Sequence, residues 1–181
     1  MSVSLRCYST SLGCPKNRVD TERLLGSLGV ALVPVESPDE AELVFINTCA
    51  FIQPATEESV RTIAQAIADI EELPKRPLLA VAGCLVGRYH AEDLAPELPE
   101  VDLWLDNSDL EAWPAMLARK LGLPEPTVPG RILSTGPSYA WLKISDGCRH
   151  ACSFCAIPNI RGGHRSHCKD MIVREARALL D

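Results

Sequence analysis

The run AELVFIN (Ala41–Asn47) is almost continuously apolar, and the run RPLLAVAG (Arg76–Gly83) has the same character further along the chain. Continuous apolar runs of this length are typical of strands that a parallel sheet buries on both faces. Apolar residues recur at helical spacing over Asn17–Leu28 and Pro54–Glu72, on either side of the first run. Because strands alternate with helices, the sequence predicts an α/β domain with a mostly parallel sheet.

Shorter patterns extend this domain in both directions. The additional strand predictions are Val3–Ser9, Val30–Glu36 and Val101–Leu105, and the additional helix prediction is Ser108–Leu121. The segment 123–138 that follows holds four prolines and two glycines, which is typical of a linker. The N-terminal α/β domain is therefore predicted over residues 1–122.

A second domain is predicted to begin after the linker. A strand over Tyr139–Ser145 is followed by a cysteine-rich loop and by a helical pattern from Lys169. The chain stops within that pattern at Asp181, where no capping signal is present. We interpret residues 139–181 as the opening βα unit of a larger domain that is cut short.

Composition excludes several classes of protein. The 181 residues are 46% hydrophobic and 23% charged, an ordinary globular balance, and the net charge of −6 gives no general footprint for nucleic acid. No signal peptide and no run of roughly 18 apolar residues is found, so we expect a cytoplasmic protein without a membrane partner. In such a protein, eight cysteines are expected to bind metal or to act in catalysis rather than to form disulfides.

Three cysteines follow predicted strands of the first domain. Cys49 and Cys84 come directly after the two apolar runs, and Cys14 follows the first strand after a short loop. Parallel strands end at one edge of the sheet, where ligands of α/β proteins bind, so the three thiols should converge there. The alternative is that each is a small buried apolar residue, and we assign that role to Cys7 and Cys168.

A second set of cysteines lies close together in GCRHACSFC (Gly147–Cys155). Thiolates such as those of Cys148, Cys152 and Cys155 select zinc, copper(I) or iron–sulfur clusters. Candidates for the fourth ligand of a zinc ion are His150, His164, His167 and Cys168. Zinc sites usually combine two separate ligand pairs, whereas three thiolates would leave one iron of a 4Fe–4S cluster open. A catalytic cluster, a zinc-binding interaction module and an electron carrier all remain alternatives.

The spacing Cys148-x3-Cys152-x2-Cys155, followed by AIP and RG (Arg161–Gly162), resembles the signature of radical S-adenosylmethionine enzymes. The stretches SLGCPKNRVDTE (11–22), INTCAFI (46–52) and AGCLVGRY (82–89) extend the likeness. The whole chain resembles the N-terminal half of the radical S-adenosylmethionine methylthiotransferases.

The resemblance implies two 4Fe–4S clusters and S-adenosylmethionine as cofactors. One cluster would be held by Cys148, Cys152 and Cys155, bind S-adenosylmethionine and generate the 5′-deoxyadenosyl radical within a barrel. The other would be held by Cys14, Cys49 and Cys84 in the α/β domain and hold the sulfur donor. The resemblance implies no catalytic residue beyond these ligands.

The motifs GCPKN (Gly13–Asn17) and NTCAFI (Asn47–Ile52) resemble the RimO-like branch of that family. That branch adds a methylthio group to the β-carbon of an aspartate on a small-subunit ribosomal protein; the MiaB-like branch, which modifies a tRNA adenosine, is the alternative. Ala50 and Gly87 depart from the usual residues of the RimO-like branch. We expect an external electron donor, a monomer, and no activity from this short chain alone, since a complete barrel needs roughly 200 residues.

Several polar residues near the cysteines are candidates for supporting roles. Asn17 and Asn47 are candidates for contacts with the cysteine ligands, or they are ordinary turn and cap residues. Arg161, His164 and Arg165 are candidates for facing S-adenosylmethionine or the substrate, or they belong to a solvated basic loop.

Overall fold

The computed structural model describes residues 4–180. The strands are β1 (Ser4–Ser11), β2 (Ala31–Pro34), β3 (Leu43–Thr48), β4 (Leu78–Gly83), β5 (Leu103–Asp106), β6 (Ser145–Asp146) and β7 (Arg165–Ser166). The helices are α1 (Pro15–Ser27), α2 (Gln53–Ile70), α3 (Cys84–Tyr89), α4 (Ala91–Leu94), α5 (Trp113–Leu121), α6 (Ile157–Arg161) and α7 (Lys169–Ala178). The α/β fold class predicted from the sequence is confirmed.

A five-stranded parallel sheet with the order β2-β1-β3-β4-β5 forms the core. Strands β3 and β4 lie at its centre, and Leu43 of β3 pairs with Leu78 of β4. Every residue of β3 is buried, as its continuous apolar run predicts for a strand covered on both faces.

The two faces of β3 pack against different helices because successive side chains of a strand point to opposite faces. Val44 and Ile46 pack with Ile63 and other residues of α2. Leu43 and Phe45 pack instead in the cluster that holds Leu24 of α1 and Trp113 of α5. This packing on both faces holds the strands in position, so the residues that follow their carboxyl ends lie along one edge of the sheet.

The predicted helix over Ser108–Leu121 is confirmed only in its second half. Asn107–Asp109 forms a 3-10 turn in which the Asp106 side chain accepts a hydrogen bond from the Ser108 backbone N–H. The α-helix itself begins at Trp113, with Pro114 in its first turn, and ends at Leu121; it is followed by Gly122, whose φ of +69° suits glycine. The sequence does not predict helices α3 and α4, because both are short, α3 follows β4 without an intervening loop, and α4 follows α3 after a single residue.

The chain after α5 contacts α1 and forms no helix or strand until β6. A β-carbon on Gly26 of α1 would lie 2.4 Å from the backbone nitrogen of Arg131, so glycine permits the close approach of the segment predicted as a linker. The predicted strand over Tyr139–Ser145 is wrong except at its last residue. Within residues 4–180 the segment 139–143 pairs with no strand, and only the Ile144 carbonyl extends the β6–β7 pairing, by accepting from the His167 N–H at 3.0 Å. A strand needs a partner along its length for its backbone hydrogen bonds.

The last described elements form a small unit. β6 pairs antiparallel with β7, with Ser145 opposite Ser166. The helix predicted from Lys169 is confirmed as α7. In the described part of the chain, no helix is long and apolar enough to cross a membrane. The division into domains and the barrel remain predictions.

Candidate functional site

The carboxyl edge of the sheet carries the three cysteines that follow its strands. Cys14 is the residue before α1, Cys49 follows β3 directly, and Cys84 is the first residue of α3, immediately after β4. The thiols of Cys49 and Cys14 are near enough to that of Cys84 to act on it electrostatically. We call these three residues the strand-end site.

Glycine allows the loop before Cys14 to pack against Cys49. Gly13 has a φ of +80°, and a β-carbon there would lie 2.5 Å from the Cys49 Sγ atom. Any other residue at position 13 would therefore have a strained backbone, and its β-carbon would displace the sulfur of Cys49. The glycine of the GCPKN motif thus keeps the first two cysteine loops in contact.

The side chain of Asn17 joins the loops that carry Cys14 and Cys49. Its Nδ2 atom donates hydrogen bonds to the carbonyl oxygens of Leu12 and Thr48, each at 2.8 Å. Asn47 supports this link, because its own Nδ2 donates to the Asn17 carbonyl at 2.9 Å. Both asparagines are fully buried and connect neighbouring segments, so neither is a simple cap or a solvated turn residue.

A buried serine fixes the backbone of Cys49. The Ser59 Oγ atom of α2 accepts a hydrogen bond from the Cys49 N–H at 3.0 Å and donates one to the Cys49 carbonyl at 2.7 Å. Both backbone groups of the cysteine are thereby satisfied away from water. The side chain of Cys49 is left to face the other thiols.

Cys84 lies between two buried asparagines. Its thiol donates to Asn17 Oδ1 at 3.7 Å, and Asn107 Nδ2 donates to the sulfur at 3.7 Å. Asn107 was not identified from the sequence, although its position just after β5 is equivalent to those of the cysteines. Within the described residues, the Oδ1 atoms of Asn107 and Asn47 are buried without a hydrogen-bond partner. Such unpaired oxygens are uncommon in protein interiors and occur here beside the thiols.

Arg161 also reaches the strand-end site, which corrects its interpretation as part of a solvated basic loop. Its guanidinium is buried and donates from Nη2 to Asn17 Oδ1 at 2.6 Å and from Nη1 to Asp146 Oδ2 at 2.9 Å. The same group contacts Asp20 Oδ2 at 3.2 Å. His164 and Arg165, by contrast, are exposed.

Lys143 completes this buried ion cluster. Its Nζ atom lies 2.5 Å from Asp20 Oδ1 and 2.6 Å from Asp146 Oδ2. Burial alone would raise the pKa of Asp146, but Arg161 and Lys143 outweigh it and lower that pKa below its usual range. Two buried cations therefore contact the two carboxylates, and the partly exposed Lys16 lies 3.6 Å from Asp146 Oδ1. Removal of one partner from such a cluster typically costs about 3–5 kcal/mol.

The second cysteine set occupies an irregular loop between β6 and α6. Cys152 is exposed, and Cys148 and Cys155 are half-buried. The Cys148 N–H donates to the Gly162 carbonyl at 3.2 Å, so the two ends of the loop are held together. Gly147 adopts a φ of +68° at that closure. Within this closed loop, Cys152 is thus the most exposed of the three cysteines.

The other two cysteines differ from each other. Cys7 is buried in the core, and burial raises the pKa of its thiol to about 12, so its assignment as a small apolar residue is confirmed. The same assignment for Cys168 is wrong, because Cys168 is exposed at the start of α7. Cys168 precedes α7, a helix that has no buried residues, which explains the difference.

The donor sets fit an iron–sulfur cluster in their chemistry. In residues 4–180 no three His, Cys, Asp or Glu side chains are grouped closely enough to hold one ion. In a 4Fe–4S cluster each thiolate would bind its own iron. Both sets consist of free thiols, which are soft ligands, and Gly13 leaves space for the sulfur of Cys49.

Comparison with known proteins agrees with the resemblance found in the sequence. The model of the family described as "Uncharacterized protein family UPF0004" matches residues 6–106. A protein of Nitratidesulfovibrio vulgaris (strain DP4) named ribosomal protein uS12 methylthiotransferase RimO is 70% identical over 96% of this chain and 40% of its own length. Proteins of the same name from Lawsonia intracellularis and Aquifex aeolicus are 56% and 48% identical, over 99% and 94% of this chain and 41% and 37% of their own lengths. The chain thus spans about two fifths of the length of the curated relatives that it matches.

Proposed function

The chain belongs to the UPF0004 family, and from that premise we propose that it is the N-terminal part of a methylthiotransferase that modifies ribosomal protein uS12. The reaction would add a methylthio group to the β-carbon of an aspartate. The observation that carries the proposal is the pair of three-cysteine sets, one at the carboxyl edge of a parallel sheet and one in a closed loop. Relatives that bear this name at 70% identity support the choice of substrate.

In this proposal, Cys14, Cys49 and Cys84 hold a 4Fe–4S cluster whose fourth iron supplies a binding position for the sulfur to be transferred. The protein's own contribution is to orient these ligands. Ser59 fixes the backbone of Cys49, and Asn107 directs an N–H donor at the sulfur of Cys84. Hydrogen bonds to ligand sulfurs tune iron–sulfur sites, so Asn107 acts on the properties of the bound group, whereas Ser59 acts through the backbone position of Cys49.

Cys148, Cys152 and Cys155 are proposed to hold the other 4Fe–4S cluster, which would bind S-adenosylmethionine and supply the 5′-deoxyadenosyl radical. The closed loop leaves Cys152 exposed. That exposure suits a position that must admit a cofactor. A barrel beginning near residue 139, with 123–138 as the linker, would supply the rest of the enclosure.

The setting of the reaction follows from the same premise. We propose a cytoplasmic monomer that receives electrons from an external donor. Ribosomal protein uS12 is the proposed partner, since it is the substrate in the names of the relatives. The short chain alone is not expected to turn over, because about three fifths of the relatives' length lies outside it.

The experiment that tests the function is deletion of the gene in its native host, followed by mass spectrometry of ribosomal proteins and of tRNA nucleosides. We expect loss of a methylthio group from an aspartate of uS12, with tRNA nucleosides unchanged. Complementation by the full-length gene is the control. Loss of a methylthio-adenosine from tRNA, with uS12 unaltered, would assign the protein to the alternative branch and refute the proposal.

A further inference from the structure

Arg161 links the two cysteine sets within a buried network. It is the last residue of α6, the helix that follows the loop of Cys148, Cys152 and Cys155. Its guanidinium nevertheless lies against Asn17 and Asp20 of α1, at the strand-end site. A side chain from the later part of the chain therefore forms one wall of the earlier site.

Arg161 and Cys84 share a hydrogen-bond partner. The Asn17 Oδ1 atom accepts from Arg161 Nη2 at 2.6 Å and from the Cys84 thiol at 3.7 Å. The guanidinium of Arg161 and the sulfur of Cys84 therefore both contact the same oxygen atom, Asn17 Oδ1. Burial raises the pKa of the Cys84 thiol, and the charge of Arg161 opposes that rise.

A glycine on α3 permits this approach. A β-carbon at Gly87 would lie 2.5 Å from the Ile160 carbonyl and 3.4 Å from the Asn107 β-carbon. The backbone of α6 therefore packs directly on the helix that begins with Cys84. Arg161 is held in the site by backbone packing as well as by its ion pairs.

Arg161 has a further contact besides those with the neighbouring carboxylates. Asp20 and Asp146 are balanced by Lys143 together with Arg161, and both cations contact both carboxylates. Arg161 Nη2 donates to Asp20 Oδ2 at 3.2 Å and, at the shorter distance of 2.6 Å, to Asn17 Oδ1, the oxygen that also accepts from the Cys84 thiol. Metal-bound cysteines are deprotonated, so a ligand at Cys84 would bring negative charge to the side of the guanidinium that contacts Asn17.

We propose that Arg161 is a positioning residue of the strand-end site, whose permanent positive charge stabilises the more reduced state of a cluster held by Cys14, Cys49 and Cys84. This inference rests on the proposed function, since it requires that cluster. It also implies that the α/β domain alone lacks one component of its own site. A fixed charge beside a cluster is one of the terms that set its reduction potential.

The test uses the chain with Cys148, Cys152 and Cys155 changed to serine, so that a single cluster remains. After anaerobic reconstitution, iron content is measured and the cluster is titrated electrochemically, with the electrode supplying one electron. In Arg161→Gln we expect unchanged iron and a potential lowered by 59 mV, which corresponds to a tenfold change in the ratio of oxidised to reduced cluster. Arg161→Lys should recover most of this shift.

Arg131 provides a matched control. Its side chain is 11% exposed, and it joins α1 to a later helix through Glu22 Oε2 at 2.7 Å and Glu175 Oε1 at 2.7 Å. Unlike Arg161, it shares no hydrogen-bond acceptor with a cysteine thiol in the described residues. Arg131→Gln should leave the potential unchanged. An equal shift in Arg131→Gln, or no shift in Arg161→Gln, would overturn the inference.

The double variant Arg161→Gln with Asp146→Asn guards against misfolding, because it removes one positive and one negative charge and leaves Lys143 paired with Asp20. Its potential should also fall, and an unchanged potential in this folded variant would overturn the inference. If the parent chain with its strand-end cysteines intact binds no iron, the proposed cluster itself is refuted, and the inference falls with it.

Discussion

Substitution of Ser59 tests how the fold holds Cys49 in place. The side chain of Ser59 is fully buried and makes two hydrogen bonds to the backbone of Cys49, one as acceptor and one as donor. Ser59→Ala would leave the Cys49 N–H without a partner in a site closed to water. An unsatisfied buried group costs about 1–3 kcal/mol, so we expect a loss near the middle of that range, about 2 kcal/mol.

Urea unfolding followed by circular dichroism measures this loss. With a dependence of about 2 kcal/mol per molar urea, the midpoint should fall by about 1 M. Thr62→Ala is the matched control, because Thr62 lies on the same helix and donates to the Glu58 carbonyl at 2.9 Å on the exposed side. Its effect should stay within about 0.5 kcal/mol. Equal midpoints for Ser59→Ala and the parent chain would refute the reasoning.

Three further predictions concern packing, acid stability and thiol access. Gly87→Ala should lower stability by about 1–3 kcal/mol in urea unfolding, because its β-carbon would meet the Ile160 carbonyl at 2.5 Å. An unchanged midpoint would show that α6 is free to shift. Asp146 has a lowered pKa when folded, so its stabilisation should be complete above the ordinary aspartate value of about 3.9 and be lost as pH falls below it. Asp146→Asn should flatten that part of the pH profile of unfolding. Under native conditions without metal, iodoacetamide should modify the exposed Cys152 well before the buried Cys7, whose pKa is about 12; equal rates would contradict the placement of Cys7.

The sheet was predictable from the sequence because its central strands are apolar on both faces. Leu43–Thr48 and Leu78–Gly83 can be buried only in the middle of a parallel sheet, and this places Cys49 and Cys84 at one edge. The prediction of a strand over Tyr139–Ser145 failed for a related reason. The pattern of apolar residues indicates which side chains are buried. A strand also requires another strand beside it that pairs with its backbone N–H and C=O groups.

The buried polar network was not predictable in the same way. Asp20 and Glu22 on α1 are charged residues that sequence patterns assign to a solvated face, yet both are buried. The partners of Asp20 are Lys143 and Arg161, and Glu22 binds Arg131; all three lie more than a hundred residues away along the chain. Pairings at such separations leave no local periodicity. The signal that was available is the polar character of α1, whose segment NRVDTE is part of the motif that carries the family resemblance.

The central claim is that two independent sets of three cysteines each hold an iron–sulfur cluster. The measurement that tests it most directly is iron and acid-labile sulfide per chain after anaerobic reconstitution. We expect a brown protein with about eight iron atoms per chain, and about four when either Cys14, Cys49 and Cys84 or Cys148, Cys152 and Cys155 are changed to serine. A colourless protein with stoichiometric zinc, or loss of all iron from either triple variant, would contradict the account.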